Sequence, residues 1–88
     1  MYERFAAYLA AAVRVKKGNY IAFFPSYRFM EDVYEEFKRY QMKEAVCIVQ
    51  EQSMDEEKRE EFLREFDQER EESLIGFCVM GGIFSEGI

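Results

Sequence analysis

The sequence predicts an α/β fold in which a leading helix is followed by three parallel strands with crossover helices. Three short apolar runs, at 20–24, 45–49 and 74–80, have the length of strands and lack the periodicity of a helix. Amphipathic segments precede the first run and separate the runs from one another. This alternation of strand and helix favours a parallel sheet built through right-handed crossovers.

Length and composition indicate one small folded domain, which we assign to residues 1–88. Apolar residues make up 49% of the chain and aromatic residues 17%, which argues against disorder. The sequence contains neither an apolar stretch of about 18 residues, as a membrane span requires, nor the pattern of a signal peptide. We therefore expect a cytoplasmic protein with no membrane partner.

Residues 2–17 are predicted to form the leading helix, ending near a glycine C-cap at Gly18. Lysines at its end suit the negative end of the helix dipole. Four apolar residues recur at three- and four-residue spacing and are assigned to its buried face: Phe5, Ala6, Leu9 and Val13.

The first strand is assigned to Tyr20–Phe24, which is apolar at every position. A run that is apolar on both faces is typical of a central strand in a parallel sheet, and we predict that position for it. Pro25 ends the strand. Ser26 follows as the N-cap of the next helix, because its hydroxyl can accept from a free amide of the first turn.

The second helix is predicted over residues 27–40, with acidic residues early and basic residues late, as the helix dipole favours. Its core-facing stripe consists of Met30, Val33, Tyr34, Phe37 and Gln41. The second strand follows at Ala45–Val49, which is rich in β-branched residues.

An acidic helix is predicted to begin at Ser53, where Ser53 and Glu56 fit a capping box, and to end at residues 69–72. The third strand follows at Leu74–Met80. Residues 51–72 contain 11 acids and 4 bases, a net charge of −7 in a chain of −6. The acidity therefore belongs to one solvent-facing helix, and it does not exclude nucleic-acid binding on another face.

The two cysteines, Cys47 and Cys78, lie inside strand-like runs, and the chain has no histidine. Their spacing is not that of a zinc site, and they are predicted to be buried, reduced thiols. We therefore expect no metal site, no histidine-based catalysis and no catalytic residue in this chain.

Two loops follow strands and should share the carboxyl edge of a parallel sheet, where ligands of open α/β folds bind. In the first loop, Ser26 and the free amides of its helix could hold an anion, and Tyr27 could stack on a base or donate to a phosphate. In the second loop, Ser85 lies between glycines that let a backbone approach a phosphate. Taken singly, each loop has the plainer interpretation of a helix start or a turn.

Residues 18–27, Gly-Asn-Tyr-Ile-Ala-Phe-Phe-Pro-Ser-Tyr, closely resemble helicase motif IV of the DinG/XPD family of superfamily-two DNA helicases. Residues 81–88, Gly-Gly-Ile-Phe-Ser-Glu-Gly-Ile, resemble motif V of the same family, usually written Gly-Gly-x-Phe-Ser-Glu-Gly-Ile-Asp. The order of the two motifs and the length between them also resemble the family.

This resemblance implies a partial RecA-like fold, the second motor domain of an ATP-dependent DNA helicase. In the parent protein the domain would meet the first RecA-like domain around ATP and Mg²⁺ and would bind single-stranded DNA. Ser26, Tyr27 and Ser85 would then lie near the DNA. The motif V residues that would couple ATP to DNA are Gly82, Ser85, Glu86 and Gly87.

The chain departs from the family pattern because the Asp expected after Ile88, motif VI and the Walker A motif are not in the sequence. We therefore expect a fragment that by itself neither hydrolyses ATP nor unwinds DNA. Two alternatives remain open at this stage. One is a small stand-alone α/β binding module, and the other is an interaction module that self-associates through an exposed sheet edge.

Overall fold

The computed structural model describes residues 1–80 and has the predicted α/β architecture, consistent with a partial RecA-like fold. Helices and strands alternate after a leading helix, and a short 3₁₀ turn at Glu65–Asp67 follows the last helix. The elements in chain order are α1 (Tyr2–Val15), β1 (Asn19–Phe24), α2 (Tyr27–Lys38), β2 (Ala45–Val49), α3 (Glu56–Arg64) and β3 (Ser73–Val79).

The three strands are parallel and lie in the order β1-β3-β2, so β3 is the central strand. Gly76 of β3 is in register with Ile21 on one side and Ile48 on the other. The prediction that β1 is central was wrong. The apolar residues of β1 alternate between two faces of the strand. One face packs on the core and includes Phe24, and the other is partly open to solvent, with Ile21 48% exposed.

One face of the sheet is covered by α1 and α2, which contact each other. Phe77 of β3 lies at the centre of this layer, with its ring 5.9 Å from that of Phe24 and 6.0 Å from that of Phe37. Alanines let α1 approach closely, and Ala10 is buried while Phe5, predicted to be buried, is 46% exposed. The buried helical residues of this layer are Ala6, Ala10, Val13, Met30, Val33 and Phe37.

Alternate residues of β3 point to the opposite face, where α3 and the turn after it pack. Phe62 is buried there, and the ring of Phe66 lies directly over Gly76. A Cβ at Gly76 would come within 2.7 Å of that ring. Glycine at this position therefore permits the chain after α3 to pack tightly against the central strand.

Three predicted helix boundaries are corrected by the structure. The cap of α3 is Asp55, whose carboxylate accepts from the amide of Lys58 at 2.8 Å, and Ser53 lies outside the helix. The carboxylate of Asp55 also interacts favourably with the positive end of the helix dipole. Regular α-helix in α3 ends at Arg64. The C-cap of α1 is Lys16 and not Gly18.

Candidate nucleic-acid interface

The carboxyl ends of β1 and β3 lie side by side. Phe24 is in register with Val79, and the amide of Met80 donates to the carbonyl of Phe24 at 2.7 Å. The loop that begins at Pro25 therefore leaves the sheet beside the end of β3.

Ser26 caps α2 as the sequence predicted. Its hydroxyl oxygen accepts from the amide of Phe29 at 3.1 Å, and its carbonyl accepts from the amide of Met30 at 3.0 Å. Ser26 is exposed. The first amides of a helix have no partner within it, so those of Tyr27 and Arg28 remain for a group that approaches this end.

Tyr27 is half-buried beside Ser26, and its hydroxyl is engaged within the protein. The hydroxyl accepts from the side-chain amide of Gln50 at 3.2 Å and donates to the carbonyl of Glu51 at 3.4 Å. The phenol hydroxyl is therefore a structural group, and the residue also packs against the hydrophobic core.

Gln50 is a residue of this edge that the sequence analysis missed. It directly follows β2, is 5% exposed, and joins three elements. Its side-chain oxygen accepts from the amide of Val79 at 2.9 Å, its side-chain nitrogen donates to Tyr27, and its own amide donates to the carbonyl of Phe77 at 2.8 Å. A polar residue directly after an apolar strand is the sequence signal that could have identified it.

Arg28 is the second residue that the sequence analysis missed. It lies in the first turn of α2, its side chain is 90% exposed, and its ion pair with Asp32 spans 4.0 Å. That turn has no acidic residue, so the early acids of α2 lie beyond it. A cation where helices favour acids is the sequence signal for this residue.

The sequence matches the helicase C-terminal domain family over residues 9–88. The chain belongs to this family. No curated protein and no solved structure matched the chain in the other two comparisons.

In this helicase C-terminal domain, the predicted motif IV residues Ser26 and Tyr27 lie at the edge at which β1 and β3 end. The predicted motif V residues all lie outside the described residues, and their roles stay predictions. They are Gly82, Ser85, Glu86 and Gly87.

The thiols of the helicase domain are unreactive in character. Cys47 is half-buried and Cys78 is buried, and desolvation raises the pKa of each thiol to about 11. Both are therefore protonated at neutral pH, and a protonated thiol is a poor nucleophile and metal ligand.

Within residues 1–80 no cluster of three or more potential metal ligands occurs. No helix there has the length and apolar character needed to cross a membrane.

Proposed function

We propose that this chain is part of the second motor domain of a cytoplasmic, ATP-dependent DNA helicase of the DinG type that acts in DNA repair. Its family membership supports a helicase, and the motif resemblance at 18–27 and 81–88 supports the DinG type. In this proposal Ser26, Tyr27 and Ser85 contact the backbone and bases of single-stranded DNA.

The observation that carries the proposal is the chemistry of the α2 start. It is capped by a neutral hydroxyl, it has no acid in its first turn, and it carries the exposed cation Arg28. The positive end of the helix dipole is therefore not neutralised by a carboxylate, and a phosphate group is the anion that such an end favours. The end of β3, from which motif V departs, lies beside it.

The motif V residues Gly82, Ser85, Glu86 and Gly87 are proposed to couple this DNA contact to ATP and Mg²⁺ held against the first RecA-like domain. The 88 residues contain no Gly-x-x-x-x-Gly-Lys sequence, the phosphate-binding loop of that first domain. We therefore expect the isolated chain to bind single-stranded DNA without hydrolysing ATP. Hydrolysis by the pure chain would contradict this assignment.

The test is the affinity of the chain for fluorescent oligo-dT, measured by anisotropy over a range of salt concentrations. Arg28→Ala should weaken binding several-fold and lower the salt slope by about 0.7, the value for one phosphate contact on a single strand. The matched control is Arg64→Ala at the far end of α3. Helix α3 follows β2 and leads back to the start of β3, so its last residue lies at the edge of the sheet where the strands begin, away from the proposed site. Equal effects of the two variants would refute the placement of the site.

One observation favours a second candidate function, self-association of the chain. Among residues 1–80 no strand pairs with the outer edge of β1, and beside that edge lie Phe5, Tyr8 and Ile21, which are 46%, 76% and 48% exposed. Because the strand edge is unpaired within residues 1–80 and has exposed apolar side chains beside it, a second copy could add to it antiparallel about a two-fold axis.

Sedimentation of the chain at increasing concentration tests this association. We expect dimers that Ile21→Lys dissociates, because a charge on an edge strand opposes pairing. The control is Tyr40→Lys, which changes an exposed aromatic residue at the end of α2. A monomer at all concentrations would exclude this candidate and leave the first one intact.

A further inference from the structure

We propose that Gln50 is a positioning residue that holds the start of α2, with Ser26 and Tyr27, in a fixed geometry against the end of β3. We use the name Gln50 bridge for the connection from the Tyr27 hydroxyl, through the side-chain amide of Gln50, to the backbone amide of Val79. The inference rests on the proposed function, because Ser26 and Tyr27, which the bridge positions, are proposed DNA contacts.

The Gln50 bridge joins the start of α2 to the end of β3. Tyr27 directly follows the cap of α2, and Val79 is the last residue of β3. The two residues do not hydrogen-bond to each other. Gln50 contacts both, with its nitrogen 3.2 Å from the Tyr27 hydroxyl oxygen and its oxygen 2.9 Å from the Val79 nitrogen.

Both the backbone and the side chain of Gln50 are held by hydrogen bonds, which makes the bridge rigid. The backbone of Gln50 is held by its own amide, which donates to the carbonyl of Phe77 at 2.8 Å and extends the β2–β3 ladder by one residue. The side chain is 95% buried, and both ends of its amide are satisfied by the protein. Loss of either partner would leave a buried polar group without a hydrogen bond, which is costly.

A side-chain amide is the group that this position requires. The Val79 amide needs an acceptor, and the Tyr27 hydroxyl, which donates to the Glu51 carbonyl, has a lone pair that needs a donor. Gln and Asn carry both functions in one planar, uncharged amide. Since Asn is shorter by one methylene, it would not reach Tyr27 and Val79 together.

The test is a double-mutant cycle read by hydrogen exchange. The observable is the exchange rate of the Val79 amide divided by that of the Ile75 amide, which lies in the middle of β3 and reports global opening. Tyr27→Phe should raise this ratio about two- to tenfold, the range for the loss of one neutral hydrogen bond, although the Tyr27 hydroxyl does not hydrogen-bond to Val79. Gln50→Leu should raise it as well, and adding Tyr27→Phe to Gln50→Leu should cause no further change.

Two variants serve as controls. Gln52→Leu makes the same substitution at an exposed position two residues away and should leave the ratio unchanged. Gln50→Glu retains an acceptor for Val79 and lets the Tyr27 hydroxyl donate to a carboxylate. We therefore expect Tyr27→Phe still to raise the ratio in that background. If Gln50→Leu does not fold, the Tyr27→Phe measurement in the natural sequence decides the point alone.

The bridge is refuted if Tyr27→Phe leaves the ratio unchanged, or raises it equally with and without Gln50. The positioning of DNA contacts is measured separately with oligo-dT, for which Gln50→Leu should weaken binding by a similar two- to tenfold factor, about that of one hydrogen bond. Unchanged affinity in a folded Gln50→Leu chain would refute the positioning role. If the natural sequence binds no oligo-dT, the proposed function fails, and the exchange cycle still decides whether the bridge exists.

Discussion

The two crossover helices begin at the same edge of the sheet and present opposite chemistry to it. Helix α2 starts with a neutral hydroxyl cap at Ser26, has no acid in its first turn and carries Arg28. Helix α3 starts with a carboxylate cap at Asp55 and has two acids, Glu56 and Glu57, in its first turn. Each helix end has the same backbone dipole, so the side chains alone decide which one can accept an anion.

The comparison shows that helix stability and anion binding are competing uses of one structural feature. At α3 the carboxylates satisfy the positive end of the helix from within the chain, which stabilises a helix that buries only one of its own side chains, Phe62. At α2 packing holds the helix instead. Met30, Val33 and Phe37 are buried against the sheet, so the start of α2 can be left open to a phosphate.

The largest expected effect is on stability, and it concerns the packing of the side chains at the beginning of each of the two helices. Met30, near the start of α2, is 1% exposed, and Met30→Ala should lower the free energy of unfolding by about 2–5 kcal/mol. The matched variant at the other start is Met54→Ala, which changes a half-buried residue just before α3. It should cost about 1 kcal/mol or less. Urea denaturation followed by circular dichroism compares the two, and equal losses would show that α2 is not the better anchored helix.

A charge exchange between the two starts should have the next largest effect. Arg28→Glu combined with Glu57→Arg leaves the net charge of the chain at −6 and makes the α2 start acidic. Binding of oligo-dT should weaken about tenfold, or about 1.4 kcal/mol, because the cation is replaced by a negative charge that repels phosphate. Anisotropy at constant salt measures this loss. Unchanged binding would show that net charge, and not the location of Arg28, governs the contact.

The sequence was sufficient to predict those parts of the structure that depend on residues close together along the chain. The apolar runs predicted all three strands, and Ser26 was identified as the cap of α2 because the cap and its amide partner are three residues apart. It was insufficient for strand order, since a run that is apolar at every position does not show that β1 lies at an edge. The cap of α3 was assigned to Ser53 because Ser53 and Glu56 have the spacing of a capping box, whereas the structure places the cap at Asp55.

Gln50 shows the same limit at the site itself. Its partners lie 23 and 29 residues away along the chain, so no local pattern contains them. Arg28 could be read from the sequence, but its place in an acid-free first turn could not, because that depends on the exact first residue of α2. With α2 beginning at Tyr27, the early acids Glu31 and Asp32 lie beyond the first turn.

The cap of α2 offers a way to separate stability from anion binding at one atom. Ser26→Ala removes the hydroxyl that accepts from Phe29 and should lower the free energy of unfolding by about 1 kcal/mol. Ser26→Asp keeps an acceptor there, and its stability should stay within about 0.5 kcal/mol of the natural chain because Ser and Asp are similar caps. Urea denaturation measures both values.

The same two variants should behave differently towards DNA. Ser26→Asp gives α2 the kind of cap that α3 has, and the added carboxylate should weaken oligo-dT binding more than Ser26→Ala does, although it is the more stable protein. Anisotropy under conditions in which both variants are folded gives the comparison. The reverse order of affinities would mean that the α2 start does not meet a phosphate.

The smallest expected effect concerns the acids that close the α3 start. Glu57 lies in the first turn of α3 and is exposed, so Glu57→Gln should lower stability by about 0.3–1 kcal/mol at low ionic strength. At 1 M salt, where the Debye length is about 3 Å, most of this loss should disappear. Glu61→Gln, one turn later in the same helix and equally exposed, should cost little at either salt concentration. Urea denaturation at both salt concentrations measures these differences. If the Glu57→Gln loss persists at high salt, the carboxylate does not act on the helix dipole, and the acids of α3 would not explain why the two helix starts differ.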